Sequence, residues 1–334
     1  MRQVVFARYG DPADVLTLTH RPVPEPGPRQ VRVRMRARPI NPSDLLLVEG
    51  RYGRPASFTP GLHPDGIQAA APVGFEGVGV IDLAGSDAHH PVGTRVAVSA
   101  PGTWAEYVVA DNTDVHPVPA GLSDVAACRL TVNPVTANLL LDDLAADPGD
   151  LVVFTAAASS VAQMMIRLGH LRGLRCVGLV RDRRHRRSLV EAGAFAVLRE
   201  GEPTLEQQLA EIASTRGVCA VVDAVGGPVA DLALRALRPH GRFVSYGLMS
   251  GLPLTVRPED LLFRSITMTG FWLPEHLAQL TAEQVADVMA RAAAQLLDGT
   301  IKVPGAEPFD LADIQAALHH NRKTGRRSGA ILTG

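Results

Sequence analysis

Residues 31–38 read Val-Arg-Val-Arg-Met-Arg-Ala-Arg, with Val31, Val33, Met35 and Ala37 at every second position and an arginine after each. Successive side chains of an extended strand point to opposite faces, so a period of two predicts a strand with one apolar and one cationic face. A helix cannot sort these residues that way. Short apolar runs at 77–83 and 95–99 predict two more strands. Proline punctuates the intervals at Pro22, Pro24, Pro26 and Pro28, and again at Pro55, Pro60 and Pro64. The stretch 54–72 is expected to be an irregular loop, and loops carried on a rigid sheet are favoured places for sites.

Beyond about residue 122 the texture changes. Buried strands are predicted at 151–156, 176–180, 194–197, 220–223 and 241–246. Helices are predicted between them at 159–171, 184–192, 204–213 and 229–237, the first with Val161, Met165 and Leu168 on one side. Strands alternating with helices of about ten residues make βαβ units and a parallel sheet covered on both faces. The last part predicts a long helix at 282–297, a shorter one at 311–321 and a strand at 329–334. Two textures in 334 residues imply two domains.

Composition narrows the class. With 46% apolar and 20% charged residues and a net charge of −1, the chain can bury a core and is not intrinsically disordered. It has no basic excess to favour nucleic acid or an acidic membrane. The uncharged stretch 151–166 is too short and too polar to span a bilayer. Three scattered cysteines exclude a disulfide framework or a four-thiolate zinc lobe. The start of the chain reads as a strand rather than a targeting segment, so a cytoplasmic location is expected. Only Lys302 and Lys323 are lysines among 33 basic residues, a bias read mainly as genome composition.

The first strand-to-helix turn of the parallel sheet should hold a pyrophosphate at a helix N-terminus. Here it reads Thr-Ala-Ala-Ala-Ser-Ser-Val-Ala from Thr155, without the G-x-G-x-x-G pattern, though its small residues still permit close backbone approach. By itself the turn fits a cofactor loop or a tight structural turn equally well. Arg181, Asp182 and Arg183 follow the second strand, where an NADP enzyme places arginine for the 2′-phosphate and an NAD enzyme an acid for the ribose. The alternative is a solvated helix start capped by Asp182. No metal is expected, because Asn41 and Phe75 are poor ligands and the histidines lack zinc spacing. Without a metal an acid must come from a side chain, and the phenol of Tyr52, protonated at neutral pH, is a candidate; the alternative is an ordinary loop tyrosine.

In order and spacing, Asn41-Pro-Ser-Asp, Glu49-Gly-Arg-Tyr-Gly, Gly74-Phe-Glu-Gly, Val132-Asn-Pro-Val-Thr-Ala, Arg181-Asp-Arg, Tyr246-Gly-Leu-Met and Gly270-Phe-Trp-Leu resemble the zinc-independent medium-chain dehydrogenase/reductases. They are most similar to the mitochondrial-type 2-enoyl thioester reductases. The resemblance implies an α/β fold: a Rossmann-type doubly wound sheet over 126–271, and a β-rich GroES-like catalytic domain formed by 1–125 and 272–334. It implies NADPH held by Asn133, by Ala158, Ser159, Ser160 and Val161, by Arg181, Asp182 and Arg183, by Tyr246, Gly247, Leu248 and Met249, and by Phe271, Trp272 and Leu273. It makes Tyr52 the catalytic donor, with Asn41 and Trp272 lining the substrate cleft. It also implies a homodimer that reduces the C=C bond of a small-molecule or carrier-bound enoyl thioester, without nucleic-acid or membrane partners. The alternatives are a quinone or enone reductase, or a non-catalytic relative that binds nucleotide or RNA. The chain departs from the family at Ser160 and Ala162, where glycines are usual, and at Gly329, where a lysine is common; Arg326 or Arg327 could supply that charge.

Overall fold

The computed structural model describes residues 1–323 and 328–334, so Arg326 and Arg327 lie outside the described residues. The chain forms two compact units, one of Met1–Val132, Met289–Asp298 and Val303–Gly334, the other of Asn133–Val288 and Gly299–Lys302.

In the first unit the alternating segment is the strand Gln30–Pro39. Val31, Val33, Met35 and Ala37 are buried, while Arg34 and Arg36 are exposed. Arg38 breaks the expected cationic face, since it is fully buried. The strand pairs with the terminal strand Ser328–Thr333 at this point, and the Arg38 guanidinium donates to the carbonyls of Leu332 and Gly334 at 3.4 and 3.1 Å. Burial lowers its pKa to about 10, which still leaves it charged at neutral pH. The sheet runs Gly305–Asp310, Ser328–Thr333, Gln30–Pro39, Glu76–Ala84, Arg95–Ser99, Val115–Pro117, with Tyr107–Asp111 also paired to Gln30–Pro39. The strands at 305–310 and 328–333 therefore complete a sheet otherwise built from residues 30–117. A smaller sheet joins Leu16–His20, Arg2–Phe6 and Ala71–Pro72. The loop expected at 54–72 is mostly irregular, but it ends in Ala71–Pro72, and the ring of Phe58 packs edge-on against Phe6 at 5.4 Å.

The second unit holds a six-stranded parallel sheet in the order Ala196–Arg199, Arg175–Val180, Leu151–Phe154, Val218–Asp223, Leu237–Ser245, Thr267–Gly270. All four residues of Leu151–Phe154 are buried, as a parallel strand covered on both faces requires. Chain order reverses between Leu151–Phe154 and Val218–Asp223. Such a switch point opens a crevice at the carboxyl ends of the strands. The predicted helix at 184–192 is divided into a 3-10 turn, Arg183–His185, and a short helix, Arg186–Glu191.

The units depart from the expected limits at both ends. Residues 126–132 group with the first unit, because Ala126, Ala127 and Cys128 pack on Ala37, Val78 and Ile331. The second unit runs on to Val288, through the helix Leu273–Ala278 and into Ala282–Leu297. Among the described residues no helix is long and apolar enough to cross a membrane.

Candidate active site

In the second unit the turn after Leu151–Phe154 forms without glycine. Ala156 takes φ 45°, a left-handed conformation that costs an L-residue free energy. Ala157 donates to the carbonyl of Leu179 at 3.0 Å, and this close approach is possible because Gly178 faces it: a Cβ on Gly178 would stand 2.8 Å from that of Ala157. The Ser159 hydroxyl then caps the helix Ser160–Leu171 by accepting from Ala162 N at 3.3 Å. Replacing Ala156 with glycine should relieve the strain and stabilise the chain by about 1 kcal/mol. Urea denaturation checks this, and a loss of stability would refute it.

Beneath the turn lies a network that the sequence did not reveal. Asp223, 1% exposed, accepts from the Thr155 hydroxyl at 2.6 Å, Val225 N at 3.1 Å and Gly226 N at 2.9 Å. The Thr155 oxygen in turn accepts from Ala224 N at 3.0 Å. This clasp joins the ends of the two strands that flank the switch point. Tyr246 N donates to the Asp223 carbonyl, and Met249 N to that of Ala224. Gly247 passes so close that a Cβ there would lie 2.8 Å from the Ala224 carbonyl oxygen. Burial pushes the Tyr246 phenol up to about 12, and it stays protonated. Phe271 N donates to the Ser245 carbonyl, and its ring stacks on His276 with centroids 3.9 Å apart. Trp272 stands at the N-cap position of Leu273–Ala278. Ala158 to Val161, Arg181 to Arg183, Tyr246 to Met249 and Phe271 to Leu273 therefore all follow carboxyl ends of this one sheet. Asn133 instead opens the helix Asn133–Leu144, which packs on Ser160–Leu171.

Acids enter the arginine run from the neighbouring strand. Asp182 caps Arg184 N at 2.9 Å and pairs with its guanidinium at 3.2 Å; that backbone bond above all holds its carboxyl below the usual range. Arg199, Glu200 and Glu202, which the sequence reading did not single out, adjoin the run. Small residues that admit the backbone, a capped helix N-terminus and a cationic edge together fit a phosphate-bearing dinucleotide.

The first unit contributes a buried polar cluster. Asn41 sits at the N-cap of Pro42–Val48, and Asp44 accepts from Asn41 N at 2.7 Å. The Asn41 amide donates to Glu76 Oε1 at 2.8 Å, and Glu76 Oε2 accepts from the Thr131 hydroxyl and Val132 N, both at 3.1 Å. At 7% exposure Asn41 holds this cluster together. The short helix leads through Gly50, at φ +72°, to half-buried Tyr52, whose ring lies against Phe75 with centroids 4.9 Å apart at 31°. Phe75 and Glu76 thus fix the two ends of the segment from Asn41 to Tyr52. Arg129 donates to the Pro304 carbonyl at 2.7 Å, and its Nη2 lies 3.3 Å from where a Cβ on Gly329 would stand. Among the described residues no group of three or more His, Cys, Asp or Glu is placed to hold a metal ion.

Burial pushes the Glu76 carboxyl up to about 7 and that of Asp44 up to about 8, the latter aided by the charge of Glu76. Both keep protons that an unfolded chain would release, so stability falls as pH rises toward 8. His116, pulled down to about 4 by burial, acts in the opposite sense but only below its ordinary 6.5. Between about pH 6.5 and 8 the buried carboxyls should therefore dominate. Asp44→Asn mimics the protonated acid and should flatten that slope by up to about 1.4 kcal/mol per pH unit, measured by urea denaturation. An unaltered slope would show that Asp44 does not titrate there.

Residues 27–120 match the alcohol dehydrogenase GroES-like domain, and residues 160–293 the zinc-binding dehydrogenase domain. The mitochondrial enoyl-[acyl-carrier-protein] reductase of Arabidopsis thaliana is 32% identical over 345 residues, covering 99% of this chain and 88% of the relative. The human protein of the same name is 30% identical over 342 residues, with coverage of 100% and 88%. In structure the chain superposes on the mitochondrial 2-enoyl thioester reductase heterodimer of Candida tropicalis with a TM-score of 0.87 at 23% identity, covering 100% of this chain and 99% of that one. A Mesorhizobium loti protein described as an NADPH:quinone reductase gives 0.86 at 28% identity, covering 100% and 98%. A GroES-like unit joined to a dinucleotide-type sheet defines an oxidoreductase of the medium-chain dehydrogenase/reductase class. Within that class the chain belongs to the mitochondrial-type enoyl thioester reductase family.

Proposed function

We propose that the protein uses NADPH to reduce the C=C bond of an α,β-unsaturated acyl thioester. The observation that carries this reading is Tyr52, a phenol packed against Phe75 in a segment anchored by Asn41 and Glu76. The full-length similarity to enoyl-[acyl-carrier-protein] reductases supports it. The turn Ala158 to Val161, together with Asn133, Arg181 and Asp182, Tyr246 to Met249 and Phe271 to Leu273, would hold the cofactor. Bound NADPH supplies the hydride that the β-carbon of the alkene accepts. Tyr52 gives its proton at the α-carbon, the phenolate then being reprotonated from water, or steadies the negative charge that develops on the thioester oxygen. The first unit is thus the catalytic one in this reading and the second the cofactor-binding one.

The test is NADPH oxidation with crotonyl-coenzyme A, a simple enone and a quinone, with NADH as control. Turnover of the thioester with NADPH is expected. Turnover of the quinone or enone alone would replace this reading with that of a quinone or enone reductase. Binding of NADPH without turnover of any substrate would leave a nucleotide-binding relative.

The functional unit in this reading is a homodimer. Thr267–Gly270 ends the parallel sheet with one unpaired edge among the described residues, and Leu261, Leu262 and Phe263 nearby are exposed. An open edge beside apolar side chains favours pairing with a second copy. Phe263→Asp with Leu262→Asp should convert the dimer to monomer in sedimentation velocity; a monomeric wild type would remove the proposal. A reducing, cytoplasmic location accords with Cys128, Cys176 and Cys219 as free thiols.

A further inference from the structure

The arginines at the carboxyl ends of Arg175–Val180 and Ala196–Arg199 are unevenly engaged. Arg183 presents Nε and Nη2, one whole edge of its guanidinium, to Oε1 of Glu202 at 3.0 and 2.5 Å. The Glu202 side chain is 14% exposed and that of Arg183 69%, so a well-covered carboxylate draws a surface arginine onto itself. Arg184 is paired with Asp182, and Arg187 with Glu191 at 2.9 Å. Arg181 makes no direct ion pair among the described residues, although its charge acts on the neighbouring Glu200 carboxyl. Arg199 has a distant one, 3.9 Å from Glu202.

These last two stand side by side. The parallel register sets Arg199 opposite Val180, the residue before Arg181, and Arg199 Nε donates to the Arg181 carbonyl at 3.4 Å. Their side chains are both exposed at the carboxyl edge. A phosphate dianion is best bound by guanidinium edges not already facing a carboxylate, because an arginine in an ion pair must give up one charge-assisted bond to form another.

We infer that Arg199, with Arg181, recognises the 2′-phosphate of the adenosine, and that Glu202 withholds Arg183 from it. The inference rests on the NADPH reading above and names which residues decide between the two nicotinamide cofactors. It adds a residue at the end of Ala196–Arg199 to a site that the sequence places wholly after Arg175–Val180.

Calorimetric titration with adenosine 2′,5′-bisphosphate and with adenosine 5′-monophosphate tests this without turnover. Arg199→Ala should weaken bisphosphate binding roughly tenfold to a hundredfold and leave monophosphate binding unchanged. Arg183→Ala should change bisphosphate binding by less than about threefold, as for an exposed ion-paired arginine. Glu202→Gln should tighten it, since Arg183 is then free and one anion is gone. Arg183→Ala costing as much as Arg199→Ala, or Arg199→Ala without effect, would overturn the assignment, as would weaker binding by Glu202→Gln. A wild-type protein that binds both nucleotides equally would instead remove the NADPH reading, and this inference with it. Thermal melts of the three variants check that these surface changes leave the fold intact.

Discussion

Tyr52→Phe is expected to lower kcat for crotonyl-coenzyme A by roughly 10²- to 10⁴-fold, the usual contribution of a positioned general acid. The variant removes one oxygen and keeps the ring that packs on Phe75. The loop and the fold should therefore persist, and KM should change far less than kcat. That split identifies loss of an interaction made mainly in the transition state. NADPH binding measured by calorimetry should be unchanged, because no residue proposed for the cofactor is altered. An unchanged kcat would remove Tyr52 from its role and leave the other proposed assignments standing. Phe75→Ala gives the complementary test: the phenol remains but loses its support, so a smaller fall in kcat is expected, with the acid still present.

Asp223→Ala should have the largest effect on stability outside the apolar core, about 2–4 kcal/mol in urea denaturation. Three donors now converge on this carboxylate: the Thr155 hydroxyl, Val225 N and Gly226 N. The hydroxyl can turn to another acceptor, but the two backbone groups cannot, and each unpaired buried donor costs about 1–3 kcal/mol. Asp223→Asn should also destabilise, since its NH₂ must face at least one of the same donors. Both variants should weaken NADPH binding, because the clasp sets the spacing between Leu151–Phe154 and Val218–Asp223 at the switch point. Full stability of Asp223→Ala would show that the clasp is dispensable.

Much of the fold was legible from periodicity. The alternation at 31–38 marked a strand because period two sorts side chains onto opposite faces. The βαβ rhythm beyond residue 122 marked the parallel sheet because buried parallel strands read as short apolar runs. Tyr52 and the arginine run were legible through their places after particular elements, and the family through the order of short motifs along nearly the whole chain. What escaped had no local signal. Glu76 and Asp44 read as ordinary acids within motifs, and only burial raises their pKa values toward neutral pH. Arg38 reads as one of four alternating arginines, yet it lies inside, bonded to carbonyls about 300 residues away in sequence.

By itself the sequence determined the classes of element, the presence of two textures and the kinds of side chain available for chemistry. All of these follow from local backbone geometry and from the apolar pattern that must be buried. Its composition also supplied the arginine excess that reads mainly as genome bias. Only the tertiary structure decided where that charge is available. Strand pairing brings Arg199 beside Arg181 and Glu202 beneath Arg183, and the strength of an ion pair depends on distance and exposure. Neither quantity is written along the chain.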